Sequence, residues 1–388
     1  MFIGLMWVLY VQIPDFSFLI DRTMKKDGKK VTKKSLAWFL FIFLFAIVIN
    51  VFSYFPAVVE AYYSGKIYPV ISVVLRLVTG WIPFSIGDIL YTLAGAWMAV
   101  RLFKTVAAVI KRRVSVQTFL YSFYRTIFIA LWVYFVFNVL WGLNYNRLGI
   151  AFQLKLDPKA YNEADVKNLT QQLVQKVNEA RRSLGDSTFA YPDAKEIFLE
   201  ADEAYAKAYL RYPFLNYTAF SIKSSLYGWL GNYTGFLGYY DPFSGEAQVN
   251  TTVPAFVIPY TACHEIGHQL GYGSEDEANF SGYLAAVSSD KRYFRYSAYF
   301  DLFAYSNSKL FMMDSLLAKE QYKSLDTLVK KDFSTYRKFL AEHRNPVEPY
   351  ISLLYGKYLQ ANNQPKGLDT YDEVIGWLIA YEKKYGKL

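Results

Sequence analysis

An almost uninterrupted apolar run at residues 36–55 constrains the fold of this 388-residue chain more than any other feature. A helix of about 20 residues spans roughly 30 Å of hydrocarbon, and segments this long and apolar are rare in soluble domains. Two further stretches have a similar character: 83–103, with Asp88 near its start, and 118–141, with Arg125 near one end. The sequence therefore predicts an α-helical membrane region with three transmembrane helices, at about 36–55, 83–103 and 118–141.

A fourth apolar stretch, residues 67–82, is interrupted by Arg76 and Gly80. A charged residue in the middle of a span is costly, and the stretch is short for a full crossing. We expect an interfacial or re-entrant segment here.

The lysine and arginine residues of the amino-terminal part predict its orientation. Seven precede the first span and five lie between the second and third, whereas only Lys66 and Arg76 lie between the first and second. Cytoplasmic loops carry the excess of basic residues. We therefore expect a cytoplasmic basic N-terminus at 1–35, a membrane region at 36–145 and an extracytoplasmic domain at 146–388.

The net charge of +9 belongs to this topology. Residues 1–150 hold 16 Lys and Arg against 5 Asp and Glu, so the remainder of the chain is close to neutral. Basic residues that flank spans interact with anionic lipid headgroups, and we expect a lipid bilayer as a partner and no nucleic acid. The single cysteine, Cys263, excludes an intrachain disulfide and is expected to pack as a small buried hydrophobe.

Residues 1–20 are apolar but contain Pro14 and Asp15, and they lack a small-residue cleavage site. Met24 precedes a basic stretch and a long apolar run, which is an ordinary start for a membrane protein. Translation from Met24, with residues 1–23 not native, is one hypothesis, and a start at Met1 is the other.

Residues 146–388 predict a mainly helical α+β domain with a small sheet. Asn162 and Asp165 are expected to cap the first long helix. Helices are expected at 162–184, 194–212, from 260, after Ser274, and at 293–316, 334–343, 347–360 and 371–385. Strands are expected at 219–224, 235–240 and 247–252, with 248–252 as an edge strand.

The chemistry is concentrated at residues 264–268, which read His-Glu-Ile-Gly-His and contain two of only three histidines. On a helix, His264 and His268 project from one face, one turn apart, and can bind one Zn²⁺ through imidazole nitrogens. Glu265 can then act as the general base towards a zinc-activated water. The pattern predicts a zinc site in which Glu265 is catalytic.

A catalytic zinc needs a third protein ligand, and the acidic residues after Ser274 supply three candidates. Ser274 is a good N-cap, so Glu277 can complete a capping box and Asp276 can favour the helix dipole. Glu275 shares a helix face with Asn279, whose oxygen can orient a ligand histidine. We expect Glu275 as the third ligand, with Glu277 as the alternative. We expect Asn279 to support one of the ligand histidines.

These motifs resemble those of the zincin metallopeptidases. His264-Glu265-x-x-His268 is similar to their active-site helix, and Glu275-x-x-Ala278-Asn279 is similar to the second motif of gluzincin-type enzymes, whose glutamate binds the metal. The gap between the two motifs is short for that group. Ser274 occupies the position of the third histidine of metzincins, which excludes that subgroup.

The chain as a whole resembles an uncharacterised bacterial family of membrane-anchored zincin-like proteins, a domain of unknown function. The similarity covers the metal motif and three other segments, at 141–145 (Trp-Gly-Leu-Asn-Tyr), 241–250 and 355–362. It implies a multi-pass protein of the bacterial cytoplasmic (inner) membrane and a zincin-like fold. It carries no established reaction.

The resulting hypothesis is a membrane-anchored zinc metallopeptidase of the cell envelope that acts on a protein or peptide substrate. Tyr296, Tyr355, Tyr358 or His343 can supply the donor that stabilises the transition state. Two alternatives stay open: a catalytically inactive zincin-like binding or scaffold protein, and a non-proteolytic zinc hydrolase. An intramembrane protease is disfavoured, because no apolar span of about 20 residues contains the motif.

Overall fold

The computed structural model describes residues 25–26, 29–111, 114–186 and 188–388. The proposed start at Met24 and most of the basic N-terminus lie outside the described residues. The chain forms two compact units, one from residues up to Phe55 with Leu90–Leu143, and one from Pro56–Ile89 with Asn144–Leu388.

In chain order the elements are strands β1 (Lys25–Lys26) and β2 (Lys29–Lys30), helices α1 (Lys33–Ser53), α2 (Pro56–Val58), α3 (Tyr68–Thr79), α4 (Ile86–Ile110), α5 (Val116–Leu140), α6 (Gly149–Leu154), α7 (Glu163–Ser183) and α8 (Ala194–Tyr209), strand β3 (Ile222–Ser224), helix α9 (Gly228–Thr234), strands β4 (Gly238–Asp241) and β5 (Glu246–Val249), and helices α10 (Ile258–Gln269), α11 (Glu275–Ser288), α12 (Arg292–Met313), α13 (Ser315–Lys323), α14 (Thr327–His343), α15 (Glu348–Ala361) and α16 (Val374–Tyr385). A π-helix covers Val59–Ile67, and 3₁₀ helices cover Gly142–Asn146, Pro213–Leu215 and Gly367–Glu373.

The first unit is built on the apolar helices. Helices α1, α4 and α5 are long and apolar enough to cross a bilayer, which confirms the three predicted apolar helices and indicates a membrane protein. Thr32 and Ser115 begin α1 and α5 as N-caps, each accepting a hydrogen bond at 3.1 Å from the amide three residues on. The orientation in the membrane stays a prediction.

The second unit is mainly helical with a three-stranded sheet. The strand order is β3-β5-β4, with β5 parallel to β3 and antiparallel to β4. The expected edge strand at 248–252 is wrong, because β5 is the central strand and pairs on both sides. Within this sheet β4 is an edge strand.

Helix α10 lies at the centre of this unit, and each of its twelve residues is buried. Helices α7 and α12 form a long neighbouring pair, in which Leu169, Leu173 and Val177 of α7 contribute to the core. The predicted cap of α7 is confirmed: Asp165 N–H donates to Asn162 Oδ1, and Asp165 Oδ2 accepts from the Asn162 N–H.

Residues 56–89 pack with the second unit, although sequence analysis assigned them to the membrane region. The hydroxyls of Tyr68 and Ser72 on α3 each donate to the Gln269 carbonyl oxygen at 2.8 Å. Helix α3 thereby satisfies a carbonyl that α10 leaves unpaired at its C-terminal end.

Candidate metal centre

The end of α10 is set by a Schellman motif. Gly271 has a φ of +86°, its N–H donates to His268 O at 2.9 Å, and the Tyr272 N–H donates to Gly267 O at 3.2 Å. A Cβ at position 271 would lie 2.7 Å from the Tyr68 ring, so a glycine is required there for space as well as for backbone conformation. The motif folds the chain back so that the Tyr272 carbonyl faces α10.

A buried ion pair supports this turn. The Arg147 guanidinium pairs with both carboxylate oxygens of Glu60, at 2.8 and 2.9 Å, and its Nη1 donates to Gly271 O at 3.2 Å. The guanidinium also lies over the Tyr272 ring, 4.7 Å from its centroid. Sequence reasoning missed Arg147 and Glu60, because nothing local relates residues 87 positions apart.

Both predicted ligand histidines are oriented by a hydrogen bond at Nδ1. His264 Nδ1 donates to Asn279 Oδ1, and His268 Nδ1 donates to the Tyr272 carbonyl, both at 2.8 Å. A carbonyl oxygen can only accept, so each neutral ring carries its proton on Nδ1 and leaves the Nε2 lone pair available. This is the arrangement that metal-binding histidines adopt.

The two Nε2 atoms face Glu275. Glu275 Oε2 lies 3.3 Å from His264 Nε2 and 3.4 Å from His268 Nε2, and the three ligand atoms lie within 4.8 Å of one another. An ion bound tetrahedrally at about 2.0–2.1 Å separates its ligand atoms by about 3.3 Å. Glu275 Oε2 is buried, so two imidazole nitrogens and a carboxylate oxygen converge away from solvent. These residues fit a divalent cation.

The charges within the cluster interact strongly. Burial opposes the charge on His268, but the Glu275 carboxylate outweighs it and raises the pKa of His268 to about 9. Burial also opposes ionisation of Glu275, yet the two imidazoles hold the pKa of this carboxyl well below its usual range. A proton shared within this group occupies the place that a cation fits.

Glu265 lies beside the cluster on α10. Burial raises the pKa of Glu265 to about 7, against the lowering effect of the two histidines, and its Oε2 is buried without a hydrogen bond. A Cβ at Gly238 of β4 would lie 2.5 Å from Glu265 Oε1. Sequence reasoning missed Gly238, whose lack of a side chain lets the carboxylate lie against the edge strand.

A cluster of tyrosines holds the far side of Glu275. The Tyr355 hydroxyl donates to Glu275 Oε1 at 2.7 Å, which leaves Oε2 directed at the histidines. Tyr371 lies 3.5 Å from Tyr355 through the hydroxyl oxygens, and its ring stacks on His264 with centroids 6.3 Å apart. Tyr371 was not anticipated from the sequence, because it belongs to an irregular 3₁₀ segment.

The other proposed donors lie elsewhere. Tyr296 donates to Asp332 at 2.6 Å, and the His343 ring packs on Phe339 with its Nδ1 at 2.8 Å from the Phe339 carbonyl oxygen. Tyr358 contacts Tyr145 through the hydroxyls, at 3.2 Å. Of the four, Tyr355 is the residue that contacts the candidate ligands directly.

The remaining acidic residues of α11 point away from the cluster. Glu277 Oε1 accepts from the Ile150 N–H at 2.7 Å, and Asp276 Oδ2 accepts from the Trp377 indole at 3.1 Å. Ser274 does begin α11 as N-cap, but its side chain caps no helix N–H, so the expected capping box is wrong. The Glu277 carboxylate is committed to α6 instead. Asn279 lies where it was expected, against His264.

A family model described as "Protein of unknown function (DUF3810)" matches residues 63–379. No curated protein and no solved structure matches the chain. The match agrees with the resemblance to an uncharacterised domain, whereas the zincin-like character of that domain stays a prediction.

Proposed function

We propose that this chain, which belongs to the DUF3810 family of proteins of unknown function, is a membrane-anchored zinc-dependent metallopeptidase. One observation carries the proposal: Glu275 Oε2 lies 3.3 and 3.4 Å from the Nε2 atoms of His264 and His268, all three ligand atoms lie within 4.8 Å of one another, and Glu265 lies beside them without a hydrogen-bond partner for Oε2. A purely structural site has no use for a buried, unpaired carboxylate, which costs free energy.

His264, His268 and Glu275 would hold the ion. When bound, Zn²⁺ supplies a Lewis acid that polarises a peptide carbonyl and lowers the pKa of water. Asn279 and the Tyr272 carbonyl keep the histidines in the tautomer that exposes Nε2, and Tyr355 keeps Glu275 Oε2 directed at them.

Glu265 would handle the proton. Its carboxylate would accept a proton from water as the nucleophile attacks, and the resulting carboxylic acid would return that proton to the leaving amine. Desolvation raises the pKa of Glu265, which makes its carboxylate a stronger base than that of an exposed glutamate.

The edge of β4 would align the substrate. An extended peptide can add to an exposed sheet edge through main-chain hydrogen bonds, and Gly238 of β4 adjoins Glu265. Tyr355 acts as a positioning residue, because its single hydroxyl proton is already committed to Glu275.

Elemental analysis of the purified full chain in detergent tests the metal. About one zinc per chain is expected, lost in His264→Ala and strongly reduced in Glu275→Gln. A folded, metal-replete wild-type chain without zinc would overturn the proposal.

A set of internally quenched fluorescent peptides then tests the reaction. Glu265→Gln should keep zinc and lose hydrolysis, because the amide cannot take the proton. Full activity in that variant would contradict the role of Glu265. Zinc binding with no peptide hydrolysis by the wild-type chain would contradict the peptidase and leave the inactive scaffold and the non-proteolytic zinc hydrolase.

A further inference from the structure

Helix α3 buries its polar face and exposes its apolar face, which is the reverse of an ordinary surface helix. Its buried residues are Tyr68, Ser72, Arg76 and Thr79, which recur at helical spacing and face the rest of the second unit. Ser72 and Tyr68 bind the Gln269 carbonyl, and the Arg76 guanidinium lies over the Tyr217 ring, 4.6 Å from its centroid. The polar face of this helix is therefore the face that the protein covers.

The opposite face is apolar and uncovered. Val70, Val74, Leu77, Val78 and Trp81 are between 52% and 77% exposed. They are spaced by four, three, one and three residues, which places them on one stripe of the helix and its extension. A contiguous exposed apolar stripe in a stable protein marks a surface that something else covers.

We propose that this stripe, defined by residues 70, 74, 77, 78 and 81, contacts the lipid bilayer. The connectivity favours lipid over a protein partner. The segment Pro56–Ile89 begins three residues after α1 ends at Ser53, and α4 begins within it at Ile86, so both ends adjoin helices that are apolar and long enough to span a membrane.

The length and the flanks of the segment indicate the interfacial zone. Helix α3 has 12 residues, or about 18 Å, which is too short to cross about 30 Å of hydrocarbon. The stripe ends at the exposed Trp81, the exposed Tyr62 precedes its first residue in the chain, and the Lys66 ammonium lies over the Tyr62 ring. Amphipathic aromatic and basic residues of this kind anchor segments at the membrane interface.

The inference bears on what the candidate site can reach. The polar face of α3 binds the last residue of α10, directly after His268, so about one helix diameter separates the lipid-facing stripe from the end of the metal-site helix. On the premise that the proposed peptidase function holds, its substrates are polypeptide segments at the membrane surface.

Site-directed spin labelling of the full chain in phosphatidylethanolamine–phosphatidylglycerol vesicles tests the contact. Val74→Cys and Leu77→Cys carry the nitroxide, and Lys338→Cys on α14, 76% exposed, is the matched control. Cys263 is buried and should react little with the spin label, and labelling of the unsubstituted chain measures this background.

Power-saturation EPR then measures collisions with oxygen, which partitions into lipid, and with a nickel chelate, which stays in water. The oxygen-to-nickel collision ratio should be several-fold higher at positions 74 and 77 than at 338. A ratio equal to that of the control would overturn the proposal. So would low collision rates with both reagents, which indicate a protein partner or a second copy. The measurement requires neither zinc nor hydrolysis, so its failure is distinct from failure of the proposed function.

Discussion

Replacing Asn279 by alanine tests how the candidate site is oriented. Asn279 Oδ1 is the acceptor for His264 Nδ1–H, at 2.8 Å, and the asparagine is buried. Alanine removes the acceptor and leaves the Nδ1–H buried without a partner. The imidazole then gains freedom to adopt the tautomer with its proton on Nε2, which has no lone pair on Nε2 for the metal.

The hydrogen bond gives the magnitude. Losing a buried hydrogen bond to a group that becomes charged or metal-bound costs about 1.5–3 kcal/mol. Since each 1.4 kcal/mol is a factor of ten in affinity, zinc should bind about 10–100-fold more weakly. Asn279→Asp keeps an oxygen at that position and should retain most of the affinity.

Competitive titration of the apo chain against a chromophoric chelator measures the zinc dissociation constant. Asn178 provides the matched control, since it is also buried and its side chain makes two hydrogen bonds, to Ser324 O at 3.0 Å and from the Asp326 N–H at 2.8 Å. Asn178→Ala should lower stability without changing zinc affinity. Wild-type zinc affinity in a folded Asn279→Ala chain, or equal weakening in both variants, would refute the reasoning.

Three further predictions follow from other parts of the second unit. Gly238→Ala places a Cβ 2.5 Å from Glu265 Oε1 and should lower peptide hydrolysis strongly while zinc content stays unchanged; Gly95→Ala, which meets no atom within 4 Å, should change neither. Burial raises the pKa of Asp301 to about 7, so the folded chain holds this proton more tightly than the unfolded chain, and the free energy of unfolding falls by up to about 4 kcal/mol as pH rises from about 4 to about 7. Urea titrations should therefore show Asp301→Asn gaining stability relative to wild type across that window, and a constant difference would contradict the prediction. A fragment that begins at residue 150 lacks residues 56–89 and the two donors to Gln269 O, and circular dichroism should find it less stable than the full chain.

Local patterns in the sequence predicted the elements well where a single stretch of chain determines them. The three apolar helices follow from length and hydrophobicity alone. The Asn162–Asp165 cap of α7 follows from four consecutive residues. The shared face of His264 and His268 follows from helical periodicity, which needs no tertiary information.

Choices between equivalent residues required the fold. Glu275 and Glu277 are both glutamates in the first turn of α11, after the same N-cap. What separates them is that the Ile150 N–H, 127 residues away, donates a hydrogen bond to Glu277. Likewise, three tyrosines were plausible from composition, and only the packing of α15 brings Tyr355 within 2.7 Å of Glu275.

The sequence by itself determined that this chain has three membrane-spanning candidates, a mainly helical remainder and a His-Glu-x-x-His helix, because hydrophobicity and helical spacing are local properties. Only the tertiary structure decided that β5 is central, that Pro56–Ile89 belongs with the second unit, and that α3 turns its polar face inward. The placement of Pro56–Ile89 and of α3 depends on hydrogen bonds between residues about 200 positions apart, such as Tyr68 and Gln269. The central position of β5 depends on its pairing with both β3 and β4, and no pattern within one segment encodes such partners.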